Sequence, residues 1–354
     1  MSNNRLDSCF SAYIMQQKEG LFMAIRPCIS YPGGKWKALP QILELIPDGI
    51  VDWREPFFGG GSVTFGFLQS EKSKDCKRFV VSDLATEVYA LWKGIQEDAD
   101  KVISICEEWW NEKCPTHVQI HTTPMMYEAV WREIEILRGK DTQSTSEPTI
   151  KAIWEKAEAE AIAFWDWAAK VDCTKLTLQE RAARFYLVNK VSFSGMGDSG
   201  SLSKDQYINF NIAQVERIKE NQPLLQRIEI YNQSFEKTFE GCPVEGGFIF
   251  LDPPYLQQEK SGLYGRNGDT HHGFPHKEFA ELCKQTKTPW LITYDDSIAV
   301  RRLFRGKGIY IRPFKLTYTM AGKTAEDALA GEELFIANYD IQDKSSYDIL
   351  NEIL

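Results

Sequence analysis

The run Gly247-Phe-Ile-Phe-Leu251 contains no polar side chain and is followed directly by Asp252-Pro-Pro-Tyr255. A strand with no solvent-facing position has to be covered on both faces. That is the signature of a parallel sheet flanked by helices, not of a half-wet antiparallel one. The two prolines then end the ladder, because each lacks an N–H donor and has a fixed φ. An acid is thereby left at the carboxyl end of a buried strand.

The rest of the chain agrees with a sheet of this kind. Helical spacing over residues 35–46 stops at Pro47, residues 50–54 read as a strand, 62–68 as a helix and 79–82 as a strand. Residues 86–95 read as a helix with Thr86 as N-cap. Strands are expected again at 227–231, 290–293, 309–317 and 333–338, with a helix at 276–284. Between them, residues 101–226 are mainly helical, most clearly at 125–137, 150–171 and 178–188, with a polar loop at 139–148. The expected architecture is α/β: a Rossmann-like, mostly parallel sheet interrupted by a helical insertion. Residues 25–100 with 227–354 would form the sheet domain, 101–226 the insertion and 1–24 a loose leader. Trp109, Trp110, Trp131, Trp154, Trp165 and Trp167 fall in the insertion. They are expected to fill its core, with base stacking as the sharper reading.

Charge and cysteines narrow the function. Lys and Arg total 41 against 50 Asp and Glu, a net charge of −9, which argues against a protein that coats nucleic acid and leaves room only for a local basic groove. The eight cysteines form no C-x-x-C pair and fit reduced thiols in the cytoplasm. No apolar stretch approaches the ~18 residues of a membrane span, so no membrane association is expected.

Three further stretches carry chemistry. Tyr31-Pro-Gly-Gly-Lys35 precedes a helix, so Gly33 and Gly34 let backbone amides approach an anionic group while Lys35 offers a cation. Glu55-Pro-Phe-Phe-Gly-Gly-Gly-Ser62 joins a strand to a helix, where an open α/β sheet binds its ligand. Gly59 and Gly61 suit a tight turn, but Phe65 stands where a dinucleotide fingerprint needs its last glycine, which points to a nucleoside-type ligand without a pyrophosphate. Asp83, about 20 residues beyond the glycines, is placed to accept from ribose hydroxyls. At Asp252–Tyr255, a carboxylate beside a free carbonyl can accept both hydrogens of an –NH₂ group, and Tyr255 gives a flat face for a planar base.

In this order, these motifs resemble the Dam-like α group of DNA adenine-N6 methyltransferases, and the likeness extends to Leu187-Val-Asn-Lys190 and to residues 274–282 and 332–339. The resemblance implies S-adenosylmethionine as methyl donor and double-stranded DNA with a flipped adenine as substrate. It implies catalytic roles for Asp252, Pro253, Pro254 and Tyr255. Cofactor contacts would come from Tyr31, Gly33, Gly34, Lys35, Glu55, Phe57, Gly59, Gly61, Asp83, Ser234, Phe235 and Asp252, with Phe57 near the sulfonium and Ser234 where many members carry aspartate. Asn189, Lys190, Lys204 and Arg217 are the candidate DNA contacts. Asp198 stands where GATC-reading members carry a guanine-reading arginine, so a different target sequence is expected.

Three further activities compete with this one. Cytosine-N4 methylation is disfavoured because those enzymes more often carry serine at the position of Asp252. RNA adenine-N6 methylation is a near neighbour in chemistry. A non-catalytic module that binds cofactor and DNA is opposed by the intact Asp-Pro-Pro-Tyr. Cys114, His117 and His121 have metal-like spacing without an evident fourth ligand, so no metal is expected. His271, His272 and His276 suggest a loop over the substrate, and Arg301, Arg302, Arg305 and Lys307 either a solvated face or a DNA-backbone contact. The chain is expected to act as a monomer or weak dimer, with a cognate restriction nuclease as a candidate partner.

Overall fold

The computed structural model describes residues 24–142, 144–256, 273–318 and 329–341. Residues 1–23 of the expected leader and the loop bearing His271 and His272 lie outside the described residues.

Seven strands form one sheet: β1 Asp52–Glu55, β2 Arg78–Asp83, β3 Glu229–Asn232, β4 Gly247–Leu251, β5 Trp290–Asp295, β6 Tyr310–Tyr318 and β7 Leu329–Ala337. Their order is β3-β2-β1-β4-β5-β7-β6. The first five are mutually parallel, while β7 runs antiparallel to both β5 and β6. The order reverses between β1 and β4, so their carboxyl ends flank the crevice where such sheets bind ligands.

All five residues of β4 and all six of β5 are buried. Successive side chains serve opposite faces. Phe248 and Phe250 join one apolar cluster, whereas Ile249 and Leu251 join the other. Trp53 of β1 stacks on Phe67 at 4.2 Å and Phe248 at 5.4 Å, and its indole N–H donates to Thr64 Oγ1 at 2.7 Å. Helix Ser62–Leu68 is thereby fixed to β1, and with it the loop that connects them.

The helix after β2 runs over Thr86–Lys113, far beyond the expected residue 95. It is broken at Asp98 (φ −157°, ψ 86°), whose carboxylate accepts from the Lys101 N–H at 2.9 Å and so caps a second helix. Thr86 is not the N-cap: the first helix is capped at Ala85 without a side-chain bond, and Asp83 Oδ1 takes the Ala85 N–H at 2.8 Å. Three helices that follow, Pro115–Ile120, Pro124–Leu137 and Pro148–Lys170, each begin with proline, whose fixed φ suits a first helical position. A reciprocal Thr177–Glu180 capping box starts Leu178–Val191. One contiguous apolar cluster joins these helices to the face of the sheet that carries Trp53. Trp110 and Trp154 are buried in it, and Trp109, Trp131, Trp165 and Trp167 pack against it partly exposed.

Trp110 donates to His117 Nδ1 at 3.1 Å, and His117 Nε2 bonds the Tyr207 carbonyl at 2.8 Å, so both ring nitrogens are used within the core. His121 Nε2 bonds the Ile208 carbonyl at 3.0 Å. The basic run is split: Arg301 and Arg302 lie on the helix that follows the carboxyl end of β5, whereas Arg305 and Lys307 precede β6 at the end where the parallel strands begin, since Tyr310 pairs with Ala337 and Ala337 with Leu291. Arg301 is engaged by Asp296 at 2.6 Å.

Arg184 is fully buried and forks onto both oxygens of Asp198, at 2.5 and 3.1 Å. That pair ties the loop after Leu178–Val191 to the helix itself. Breaking it from the acid side leaves a buried guanidinium without its counter-charge. Asp198→Ala is expected to cost about 3 kcal/mol in chemical denaturation; an unchanged midpoint would show that the pair does not hold the loop.

Candidate active site

A cavity of about 460 Å³ opens at the carboxyl ends of β1, β2 and β4. It is lined by Tyr31–Lys35, Glu55–Val63, Asp83–Ala85, Gln233–Glu236, Asp252–Tyr255 and Gly273–Pro275. Every expected catalytic and cofactor residue therefore lies on one surface, although distant stretches of the sequence supply them. The volume falls within the ~300–1,000 Å³ typical of small-molecule sites.

The first turn is closed by the Gly34 N–H to the Tyr31 carbonyl at 3.0 Å, with Gly33 at φ +72°. It delivers Lys35, only 3% exposed, to the end of β4. There its ammonium meets Asp252 Oδ2 at 2.9 Å and the Gly33 carbonyl at 2.7 Å, and stands 5.0 Å from the centre of the Tyr255 ring. Thr293 of β5 donates to the other oxygen, Asp252 Oδ1, at 2.7 Å. Asp252 is thus fixed by two strands and by the amino-terminal turn.

The glycine loop is shaped from both sides. Asp83 Oδ2 accepts from the Gly59 N–H at 2.8 Å, and Trp92 donates to the Gly59 carbonyl at 2.8 Å. Gly59 and Gly61 have φ of +45° and +73°. Tyr31 explains why side chains are absent here: a Cβ on Gly60 would lie 2.7 Å from its Cβ, and one on Gly59 2.8 Å from its ring. The glycines make room for this tyrosine as well as for a ligand. Phe57 packs 5.7 Å from each of Phe235, Phe274 and Phe279, an aromatic wall beside the glycines.

The lining is acidic. Glu55, buried and bonded to the Thr64 N–H and hydroxyl, has its carboxyl pushed up to about 8, chiefly by burial, with Asp252 and Asp83 adding to the effect. Asp83 is raised to about 6 by burial, against the pull of the Gly59 and Ala85 amides. Lys35 is the one Lys or Arg among the described lining residues. Such a cavity favours a ligand that brings positive charge of its own.

The candidate DNA contacts, expected in the insertion, lie outside this cavity. Asn189 is 2% exposed and its amide donates to the Ser30 and Gly195 carbonyls at 2.7 Å each, so it braces the first turn against the loop. Lys190 turns inward, donating to the Cys28 carbonyl at 2.5 Å and lying 5.0 Å from the Tyr186 ring, and burial lowers its pKa. Neither is offered to a phosphate. Lys204 pairs with Glu158, and Arg217 is exposed. Asp198, engaged by Arg184, is not offered to a base either. Sequence reasoning missed Phe193, 53% exposed on the loop that packs on Ser30, beside Ser194 at φ +53°. It also missed Thr293, Asp295 and Glu333 behind Asp252. Their signal was present as polar residues within otherwise apolar strands, Thr293 and Asp295 in β5 and Glu333 in β7.

A family model described as "D12 class N6 adenine-specific DNA methyltransferase" matches residues 31–317. Among curated proteins, the chain is 25% identical over 252 residues to Type II methyltransferase M.MjaIII of Methanocaldococcus jannaschii, covering 68% of this chain and 73% of the relative. It is 23% identical over 265 residues to Type II methyltransferase M1.LlaDCHI of Lactococcus lactis subsp. cremoris, covering 73% and 75%. It is 22% identical over 320 residues to Type II methyltransferase M.CviBI of Paramecium bursaria Chlorella virus NC1A, covering 89% and 100%. No helix among the described residues is long and apolar enough to cross a membrane.

The raised Glu55 value makes a stability prediction. With a folded value of about 8 against 4.5 ordinarily, its contribution is complete below pH 4.5 and is lost as pH rises through about 8. The ligand-free protein should lose stability across that window, and Glu55→Gln should flatten the loss. Urea midpoints measured across the range test this; an equal slope in the variant would contradict it.

Proposed function

The chain belongs to the D12 class of N6 adenine-specific DNA methyltransferases, and we propose that it moves a methyl group from S-adenosylmethionine to the N6 amino group of an adenine rotated out of duplex DNA. The observation that carries this reading is the position of Asp252, Pro253 and Tyr255 in the same cavity as the glycine loop and Asp83. Cofactor half and base half meet at one carboxylate. By analogy with the relatives' names, the same reading makes the chain the modifying member of a restriction-modification pair.

The residues present fit the cofactor. Glu55 and Asp83 are acids whose charge is disfavoured by burial in the ligand-free cavity, and a cationic ligand relieves both. Each Asp83 oxygen accepts one backbone amide and retains a further lone pair for a ribose hydroxyl. Ser234 and Phe235, which follow β3, line the cavity as well, and a planar base would lie against them. When bound, S-adenosylmethionine supplies a methyl group made electrophilic by its positively charged sulfur.

The chain's own contribution starts from a chemical difficulty. The lone pair of an adenine amino nitrogen is delocalised into the ring and is a poor nucleophile. Asp252 and the Pro253 carbonyl each accept one amino hydrogen, which gives the nitrogen tetrahedral character and frees its lone pair. The Asp252 charge then stabilises the positive charge that develops on that nitrogen as it gains the methyl group, and the nitrogen returns to neutrality by giving up one of its two amino protons, through Asp252 or directly to solvent. Thr293 and Lys35 hold the carboxylate still, so that it does not reorganise during reaction. Inside the stack this geometry is out of reach. The base leaves it at a cost of a few kcal/mol, partly offset by stacking on Tyr255. Phe193, on its braced loop next to the first turn, offers an apolar face to the DNA left behind.

Two substitutions test this. Asp252→Ala takes the counter-charge from buried Lys35 and should cost stability, but in the folded protein it should lower turnover about 10²–10³-fold or more. A folded variant with near-native turnover would sink the mechanism. Asp83→Ala should weaken S-adenosylmethionine binding far more than DNA binding, read by calorimetry on each ligand; an unchanged cofactor affinity would remove Asp83 from the site.

A further inference from the structure

Tyr255 is held by more than its neighbours in the motif. Its phenol donates to Glu333 Oε2 at 2.7 Å, and its ring lies 5.8 Å from that of Tyr294, nearly parallel at 24°. Glu333 lies on β7, directly across the ladder from Asp295 of β5. Asp295 performs the companion task one residue on, where its Oδ1 accepts from the Leu256 N–H at 2.9 Å. Two acids on paired strands therefore clamp the segment that leaves the two prolines, one by a side chain and one by the backbone.

The arrangement is costly. Glu333 is 2% and Asp295 7% exposed, and Glu333 Oε1 and Asp295 Oδ2 are buried without a hydrogen-bond partner among the described residues. Lys35 is the nearby cation, and it is already committed to Asp252. If β7 needed only to pack, an apolar residue of similar volume would serve at least as well. A carboxylate here requires a purpose, and its bond to Tyr255 supplies one.

We propose that Glu333 is a positioning residue for the target base: through the Tyr255 phenol it fixes the plane on which the flipped adenine stacks. The inference rests on the base-flipping reading above. A ring not anchored at its para oxygen can swing about the Cα–Cβ bond, and a base stacked on a displaced ring would carry its amino group away from Asp252 and the Pro253 carbonyl. Binding of the methyl donor does not depend on that plane. Losing the bond should therefore lower turnover and leave cofactor affinity unchanged.

The test uses the full chain with duplex DNA of the context found by methylation mapping, and the same duplex with 2-aminopurine at the mapped adenine. Glu333→Leu and Tyr255→Phe should each lower kcat about ten- to hundredfold, the range expected on losing a hydrogen bond to a charged group. Both should leave S-adenosylmethionine affinity within about twofold and give a brighter 2-aminopurine signal, because the flipped base is less quenched by the ring. Glu333→Gln, whose amide oxygen can still accept from the phenol, should recover most of the rate. In the double variant the two losses should not add, since one bond is removed twice. Three results would overturn the proposal: additive losses, a Glu333→Gln variant as slow as Glu333→Leu, or near-native kcat in Tyr255→Phe. The last of these remains decisive if Glu333→Leu does not fold. A native protein that flips no base in the mapped DNA would instead refute the base-flipping reading itself.

Discussion

The ion pair between Lys35 and Asp252 joins the two ends of the motif order. It brings a turn near the beginning of the described chain to the carboxyl end of β4, across the point where the strand order reverses. Neither partner could be placed there alone at low cost. Lys35 is 3% exposed, and a buried ammonium needs a counter-charge; Asp252 faces a cavity that Glu55 and Asp83 also line. Once the pair forms, the first turn packs on the glycine loop, because Tyr31 fills the space that Gly59 and Gly60 leave open. The glycine loop and the segment Asp252–Tyr255 are thus parts of one electrostatic assembly.

The sheet was legible in sequence because its central strands β1, β4 and β5 are buried on both faces and bounded by turn residues. The strand at 247–251 and the helix at 62–68 have the limits that the sequence predicts. The limits failed where tertiary contacts override local signals. Thr86 has cap chemistry, but Asp83 holds the Ala85 amide, the helix begins one residue earlier than the sequence suggests, and Thr86 falls inside it. Asp98 breaks that helix close to the expected boundary of the insertion, and caps the next segment in doing so. The cavity was legible because its residues belong to short motifs with fixed order. The support behind it was not: Glu333, Asp295 and Thr293 lie far along the chain and meet Asp252 and Tyr255 only through strand pairing.

Surface charge was the least legible property. A lysine in a sequence says nothing about which way its ammonium points. Lys190 follows a motif residue and lies in a helix, yet it caps the Cys28 carbonyl from inside. Asp198 likewise looked like a residue facing a partner, but it neutralises Arg184, which is fully buried. In both cases a nearby buried group with an unmet need claimed the charge. The braced loop that results leaves Phe193 exposed beside the first turn.

The acidity of the cavity ties stability to ligand binding. Burial raises Glu55 and Asp83 well above the usual carboxylate range, so near neutral pH the ligand-free fold either holds protons there or carries unfavourable charge. A ligand that presents positive charge to these groups removes that penalty and binds only the folded state, so its affinity and the stability of the fold rise together. The same logic accounts for the single lysine among the described lining residues. A second cation in the lining would neutralise the acids without a ligand and weaken the preference for a positively charged one. Lys35 instead directs its charge at Asp252, leaving Glu55 and Asp83 to face a positively charged ligand.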